Sequence, residues 1–128
     1  MSHYLLDTHT AIWYFTGDEQ LSDIAKQIII NASNPIYLSM TSIWELAIKI
    51  GLGKMQFTDK TAGFVRSAEK DNFTILPIKT SHVFALETLP MIHRDPFDRL
   101  LIATALAEQM TLITIDENIQ KYDVSQIW

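Results

Sequence analysis

The sequence predicts an α/β fold, a three-layer α/β/α sandwich with a central parallel sheet, on three observations. Short apolar runs alternate with stretches of helical periodicity. The short runs are apolar throughout, as strands of a parallel sheet must be when helices cover both faces. Acidic residues recur where those runs end, at the edge where open parallel sheets place their ligand crevice. At 128 residues the chain has the length of one domain, and the expectation is a single domain over 1–128.

Taken in order, "HYLLD" is a buried strand that stops at Asp7, and a helix begins near Thr8. "DEQLSDIAKQIIINAS" carries Leu21, Ile24, Ile28, Ile29 and Ala32 at helical spacing and is stopped by Asn34–Pro35. "IYLSM" is a second strand, followed at once by the helical "SIWELAIKIGLGK", which Gly51 and Gly53 close. "TDKTAGFVRSAEKD" is a more polar helix with Phe64, Val65 and Ala68 inward. "FTILPI" is a third strand and "SHVFALETL" a short helix. "PFDRLLIATALAEQ" is a buried helix, "TLITI" a fourth strand and "DENIQKY" a last helical turn.

Composition removes several functions. With no cysteine, neither a disulfide nor a thiolate zinc site is available, which fits a cytoplasmic protein. The start "MSHYLLDTHT" lacks the basic and apolar regions of a signal peptide, and no apolar run is long enough to span a membrane. A net charge of −5 argues against binding nucleic acid through bulk positive charge. It leaves open handling nucleic acid through a cation held by acids.

The acids are therefore the informative residues. Asp7 follows the first strand, Glu45 lies in the first turn of the helix after the second, and Asp116 follows the fourth. Asp95 and Asp98 open the buried helix. Each also has a purely structural reading. Asp7 and Asp116 can cap helical turns, Ser42 and Glu45 form a Ser-x-x-Glu capping box, and Lys49 pairs with Glu45 at i,i+4. In "DPFD", Asp95 is a natural N-cap, Pro96 suits N1, and Asp98 complements the helix dipole.

Caps, however, have no reason to gather at one end of a sheet from distant parts of the chain. Clustered carboxylates repel and raise one another's pKa unless a cation neutralises them. An all-oxygen set without cysteine or a spaced histidine pair suits Mg²⁺ or Mn²⁺ rather than zinc. On this reading Asp7, Glu45, Asp98 and Asp116 hold the metal and carry the catalysis, while Asp95, extended by the proline after it, is the cap.

The remaining polar residues are weighed the same way. His9 and His82 read as helix-surface residues, and His93 and Arg94 as loop residues within reach of a phosphate. Ser39 and Thr114 lie near strand ends, where a hydroxyl can orient a carboxylate. Lys49, Lys54, Arg94 and Arg99 are candidate phosphate contacts. The "IWYF" run at 12–15, Met91–Ile92 and Trp128 are either core or an apolar patch for a partner helix.

Four segments together, "YLLDTHT", "SIWELAIKIGLGK", "HRDPFDRLLIATA" and "LITIDENI", resemble the PIN-domain family, and within it the VapC-type toxins of bacterial toxin–antitoxin pairs, over essentially the whole chain. The resemblance implies a single nuclease domain with an acidic site of Asp7, Glu45, Asp98 and Asp116. It implies a Mg²⁺ or Mn²⁺ cofactor, endoribonuclease activity on an RNA substrate, frequent homodimers and a cognate antitoxin. Two rival readings remain. A dehalogenase-like phosphohydrolase would use Asp7 as nucleophile, but it needs a second acid two residues on, where this chain has His9. A non-catalytic interaction module would use every acid as a cap.

Overall fold

Short strands carry the centre of this molecule, and their alternating side chains divide its interior in two. The computed structural model describes residues 2–128. In chain order the elements are β1 (Tyr4–Leu6), α1 (Thr8–Thr16), α2 (Asp23–Ile30), β2 (Ile36–Ser39), α3 (Met40–Gly51), α4 (Lys60–Lys70), β3 (Thr74–Leu76), α5 (Thr80–Glu87), α6 (Pro96–Glu108), β4 (Thr111–Ile113), a 3-10 turn (Ile119–Lys121) and β5 (Gln126–Ile127). The five strands form one parallel sheet in the order β3-β2-β1-β4-β5.

Successive residues of a strand face opposite sides. Leu6, Leu38 and Ile113 therefore face one layer, where they pack with Ala11, Ala25, Ile29, Leu46, Phe64 and Ala68 of α1 to α4. Leu5 and Leu112 face the other, against Leu101, Ile102 and Ala105 of α6. Leu5, Leu6, Leu112 and Ile113 are fully buried, each contributing about 1.5–3 kcal/mol by leaving water. This is the expected three-layer sandwich. No helix among the described residues is long and apolar enough to cross a membrane.

Three local expectations are corrected. The α2 helix begins only at Asp23, capped by the Ser22 hydroxyl accepting from Ala25 N, and Ile24 is 57% exposed rather than inward. The α3 helix is capped by Ser39, whose hydroxyl accepts from Thr41 N at 2.9 Å. The expected Ser42–Glu45 capping box is therefore absent: α3 starts at Met40, so Glu45 belongs to its second turn. The fifth strand was not expected, being only two residues long.

The strand order places a topological switch beside β1, where β2 pairs on one side and β4 on the other. In an open α/β sheet, the carboxyl ends at such a point form the crevice. Asp7 leaves β1 there, and Thr114 to Asp116 leave β4.

Candidate active site

The geometry starts from two strand exits. Asp7 occupies the N-cap position of α1, but its side chain makes no capping bond. Instead the Thr114 hydroxyl donates to Asp7 Oδ2 at 2.9 Å, and the Asp116 backbone N–H donates to the Thr114 oxygen at 3.0 Å. Thr114 thus orients a carboxylate, as expected. Ser39 does not, because its hydroxyl serves the α3 cap.

Glu45 is buried. The Thr8 hydroxyl donates to its Oε1 at 2.6 Å and shares a 2.9 Å hydrogen bond with the Ser42 hydroxyl. Lys49 Nζ donates to Glu45 Oε2 at 2.6 Å, the expected i,i+4 pair. Burial works to lower the Lys49 pKa, but the bond to Glu45 and the charges of Glu45, Asp95 and Asp98 together raise it. Lys49 is therefore occupied as a counter-charge to the acids.

At the start of α6, Asp95 is the N-cap, accepting from Phe97 N and Asp98 N at 2.9 and 3.0 Å, and Pro96 takes the first helical position. Asp98, freed from capping, faces His93, whose Nε2 lies 3.1 Å from Asp98 Oδ2. Asp116 accepts from Asn118 N and Ile119 N at 2.8 and 3.0 Å, holding the turn ahead of the 3-10 turn, whose own N-cap is Asn118.

The four acids come from four separate elements, yet they sense one another. Burial, followed by the charges of Asp7, Asp95, Asp116 and Glu45, pushes Asp98 from 3.8 up to about 8. Asp7 rises from 3.8 to about 6, chiefly through burial; Thr114 and His9 pull it down, while Asp116 and Glu45 push it up. This mutual influence joins acids carried by different elements. It does not amount to a closed cage: among the described residues, no three His, Cys, Asp or Glu side chains could already hold one ion between them. Each acid is turned to a protein donor instead. By donor chemistry, carboxylates flanked by hydroxyls fit a hard divalent cation.

Several other side chains lie elsewhere than expected. Arg99 is buried and donates to Pro90 O, Tyr122 Oη and Leu89 O, so it is not available to a phosphate. His82 is buried rather than on the surface, with Nε2 2.7 Å from Glu108. His9, Lys54 and Arg94 are exposed. Ile12, Tyr14, Phe15 and Trp128 pack against the α1–α4 core cluster, and Trp13 lies edge-on to Trp128, whereas Met91 and Ile92 are exposed. Sequence reasoning missed Thr8 and His93 as partners of the acids, and Tyr122 behind His93. The only hint for Thr8 was its place directly after Asp7.

The PIN domain family model matches residues 4–125. Ribonuclease VapC22 of Mycobacterium tuberculosis is 28% identical over 129 residues, covering 95% of this chain and 93% of that protein. Among solved structures, VapBC2 from Rickettsia felis, bound to a DNA fragment from its promoter, superposes with a TM-score of 0.73 at 17% identity, covering 98% of both chains. DNA-bound VapBC from Salmonella typhimurium gives 0.71 at 17% identity, covering 100% of this chain and 98% of that one. At that identity the structural likeness speaks for the fold.

Proposed function

The chain belongs to the PIN domain family, and on that premise we propose that it is a Mg²⁺- or Mn²⁺-dependent endoribonuclease acting as the toxin of a toxin–antitoxin pair. One observation carries the reading. Asp7 and Asp98, distant along the chain, are both raised in pKa, first by burial and then by neighbouring acids that for each include Glu45 and Asp116. A fold keeps such repulsion most readily where a cation is to relieve it. The relative named ribonuclease VapC22 and the VapBC complexes among the structural relatives support the same reading.

In this proposal Asp7, Glu45, Asp98 and Asp116 are the residues that hold the ion. When bound, a divalent cation supplies Lewis-acid polarisation of a phosphodiester and a water of lowered pKa. The protein's own work is positional. Thr114 fixes the Asp7 carboxylate, Thr8 fixes one oxygen of Glu45, and Lys49 balances the other. Any of these carboxylates that is not a direct ligand would, with the ion bound, be placed to orient a water and take its proton. Arg94 and Lys54, both exposed, remain available to backbone phosphates, giving affinity without sequence choice.

The proposal includes partners. Met40, Trp44 and Ile48 recur every fourth residue along α3, Leu52 follows at its C-cap, and all are exposed, leaving an apolar stripe uncovered in the lone chain. Exposed Met91 and Ile92 add to the apolar surface. A second copy of the chain and an antitoxin are the expected covers, acting in the cytoplasm on a single nuclease domain.

The test is cleavage of a single-stranded RNA by the purified protein. Activity should vanish with EDTA and return with Mn²⁺ or Mg²⁺. Cleavage indifferent to chelation, or a covalent aspartyl-phosphate on Asp7, would refute the proposal.

A further inference from the structure

His93 and Asp98 are both largely buried, and a chain of hydrogen bonds behind His93 runs in one direction only. It starts at Arg99, whose buried guanidinium donates to Pro90 O at 2.7 Å, Leu89 O at 3.3 Å and Tyr122 Oη at 3.0 Å. A guanidinium has donors and no acceptor, so the polarity of this first link is fixed. The Tyr122 hydroxyl also accepts from the His93 backbone N–H at 3.2 Å. Both lone pairs of that oxygen are then taken, and its single proton goes to the remaining neighbour, His93 Nδ1, at 2.8 Å. A ring nitrogen that accepts carries no proton. In the neutral ring the proton therefore lies on Nε2, 3.1 Å from Asp98 Oδ2.

From this chain we infer that His93 is a positioning residue for Asp98, with its tautomer dictated by Tyr122 and Arg99. The inference rests on the proposed role of Asp98 as an ion-holding acid. The imidazole N–H engages Oδ2 and stops the carboxylate from rotating, while Oδ1 takes no hydrogen bond from any described residue. One oxygen is thus committed to the protein and the other left for a cation, the arrangement by which outer partners orient a ligand and tune its affinity. Four residues on three parts of the chain, Arg99, Tyr122, His93 and Asp98, act as one unit.

Two measurements test this, neither needing turnover. In the metal-free protein, ¹⁵N spectra of the His93 ring should show a protonated Nε2 and an unprotonated Nδ1. Tyr122→Phe should blur that single tautomer into a mixture. A wild-type ring protonated on Nδ1 would overturn the inference.

The second measurement is Mn²⁺ affinity by titration. His93→Ala should weaken binding by about 10–100-fold. His93→Gln sets an amide N–H near the former Nε2 and should recover most of the loss. His93→Asn reaches only toward Tyr122 and should not. A mere packing role would not separate Gln from Asn, so equal affinities for the two variants would sink the idea. Asp98→Asn is the reference: if it binds Mn²⁺ as tightly as wild type, the acid assignment fails, whereas its loss alongside a normal His93→Ala overturns only the positioning role.

Discussion

Helix α6 bears a carboxylate–imidazole pair in its first turn and another in its last, separated by about 15 Å of helix. In the last turn, Glu108 sits 2.7 Å from His82 Nε2 and 3.2 Å from Lys79 Nζ. In the first, Asp98 sits 3.1 Å from His93 Nε2. The pairs look alike, but their carboxyls move in opposite directions. Glu108 falls below its usual 4.5, chiefly through the bond to His82, which together with Lys79 outweighs the opposing effect of burial. Asp98 climbs to about 8, because burial is joined by four neighbouring acids.

The difference lies in the charge around each pair. Lys49 NH₃⁺ balances Glu45 directly but leaves Asp98, Asp7 and Asp116 in excess, whereas Glu108 has a lysine of its own. One end of α6 is a finished ion pair that fastens α5 to α6. The other is unfinished: in metal-free protein its clustered acids cost stability, which under the proposed function a cation would restore.

The largest effect should come from exchanging the charges. Asp98→Asn should reduce metal-dependent RNA cleavage by on the order of 10³-fold, while raising the melting temperature of metal-free protein at pH 8. Glu108→Ala should do the reverse, leaving cleavage intact and costing about 1–3 kcal/mol by orphaning the buried His82 N–H. Rates on a single-stranded RNA and thermal melts of both variants check this. An Asp98→Asn that melts lower than wild type at pH 8, or a Glu108→Ala that no longer cleaves, would erase the contrast.

Next in size is the response to pH. In the folded metal-free protein Asp98 keeps its proton until about 8, whereas in the unfolded chain it loses it near 3.8. Between those values the native state holds more protons, so stability falls as pH rises through the window. Asp7 adds to the fall between 3.8 and about 6. Glu108, with its lowered pKa, acts oppositely and loses its contribution only as pH drops below 4.5. A decline of about 3 kcal/mol from pH 5.5 to 8.5, roughly 10–15 °C in melting temperature, is expected without metal. Mn²⁺ at about 100 times its Kd should return about 2.7 kcal/mol at the alkaline end. The slope should flatten in Asp98→Asn and persist in Glu108→Ala.

Much of this contrast could be anticipated from the chain, but not its resolution. Strand runs such as "YLL" and "LITI" declare themselves because burial on both faces demands unbroken apolar residues, and the acids after them follow from sheet topology. The Asp95–Pro96 cap is equally local, and the structure bears it out. What stayed hidden depends on convergence. His93 meets Tyr122 across 29 residues and Glu108 meets His82 across 26, with no spacing rule joining either pair. Arg99 looked available for phosphate because nothing in its neighbours signals that loop carbonyls of Leu89 and Pro90 close over it. Ser39 took the cap from Ser42 because β2 runs straight into α3, and β5 exists only through its pairing with β4.

The smallest effect concerns Asp95, where cap and charge can be separated. Its carboxylate caps α6 and also helps push Asp98 upward. Asparagine caps about as well as aspartate, whereas alanine does not. Asp95→Ala should therefore lose about 1 kcal/mol of capping, offset in part by the charge it removes, and Asp95→Asn should keep the cap while relieving the repulsion. Metal-free Asp95→Asn should thus melt at or slightly above wild type at pH 8, Asp95→Ala slightly below, and both should cleave RNA within a few-fold of wild type. Were Asp95→Asn as inactive as Asp98→Asn, Asp95 would belong with the ion-holding acids, and the first turn of α6 would contribute two ligands rather than a ligand and its cap.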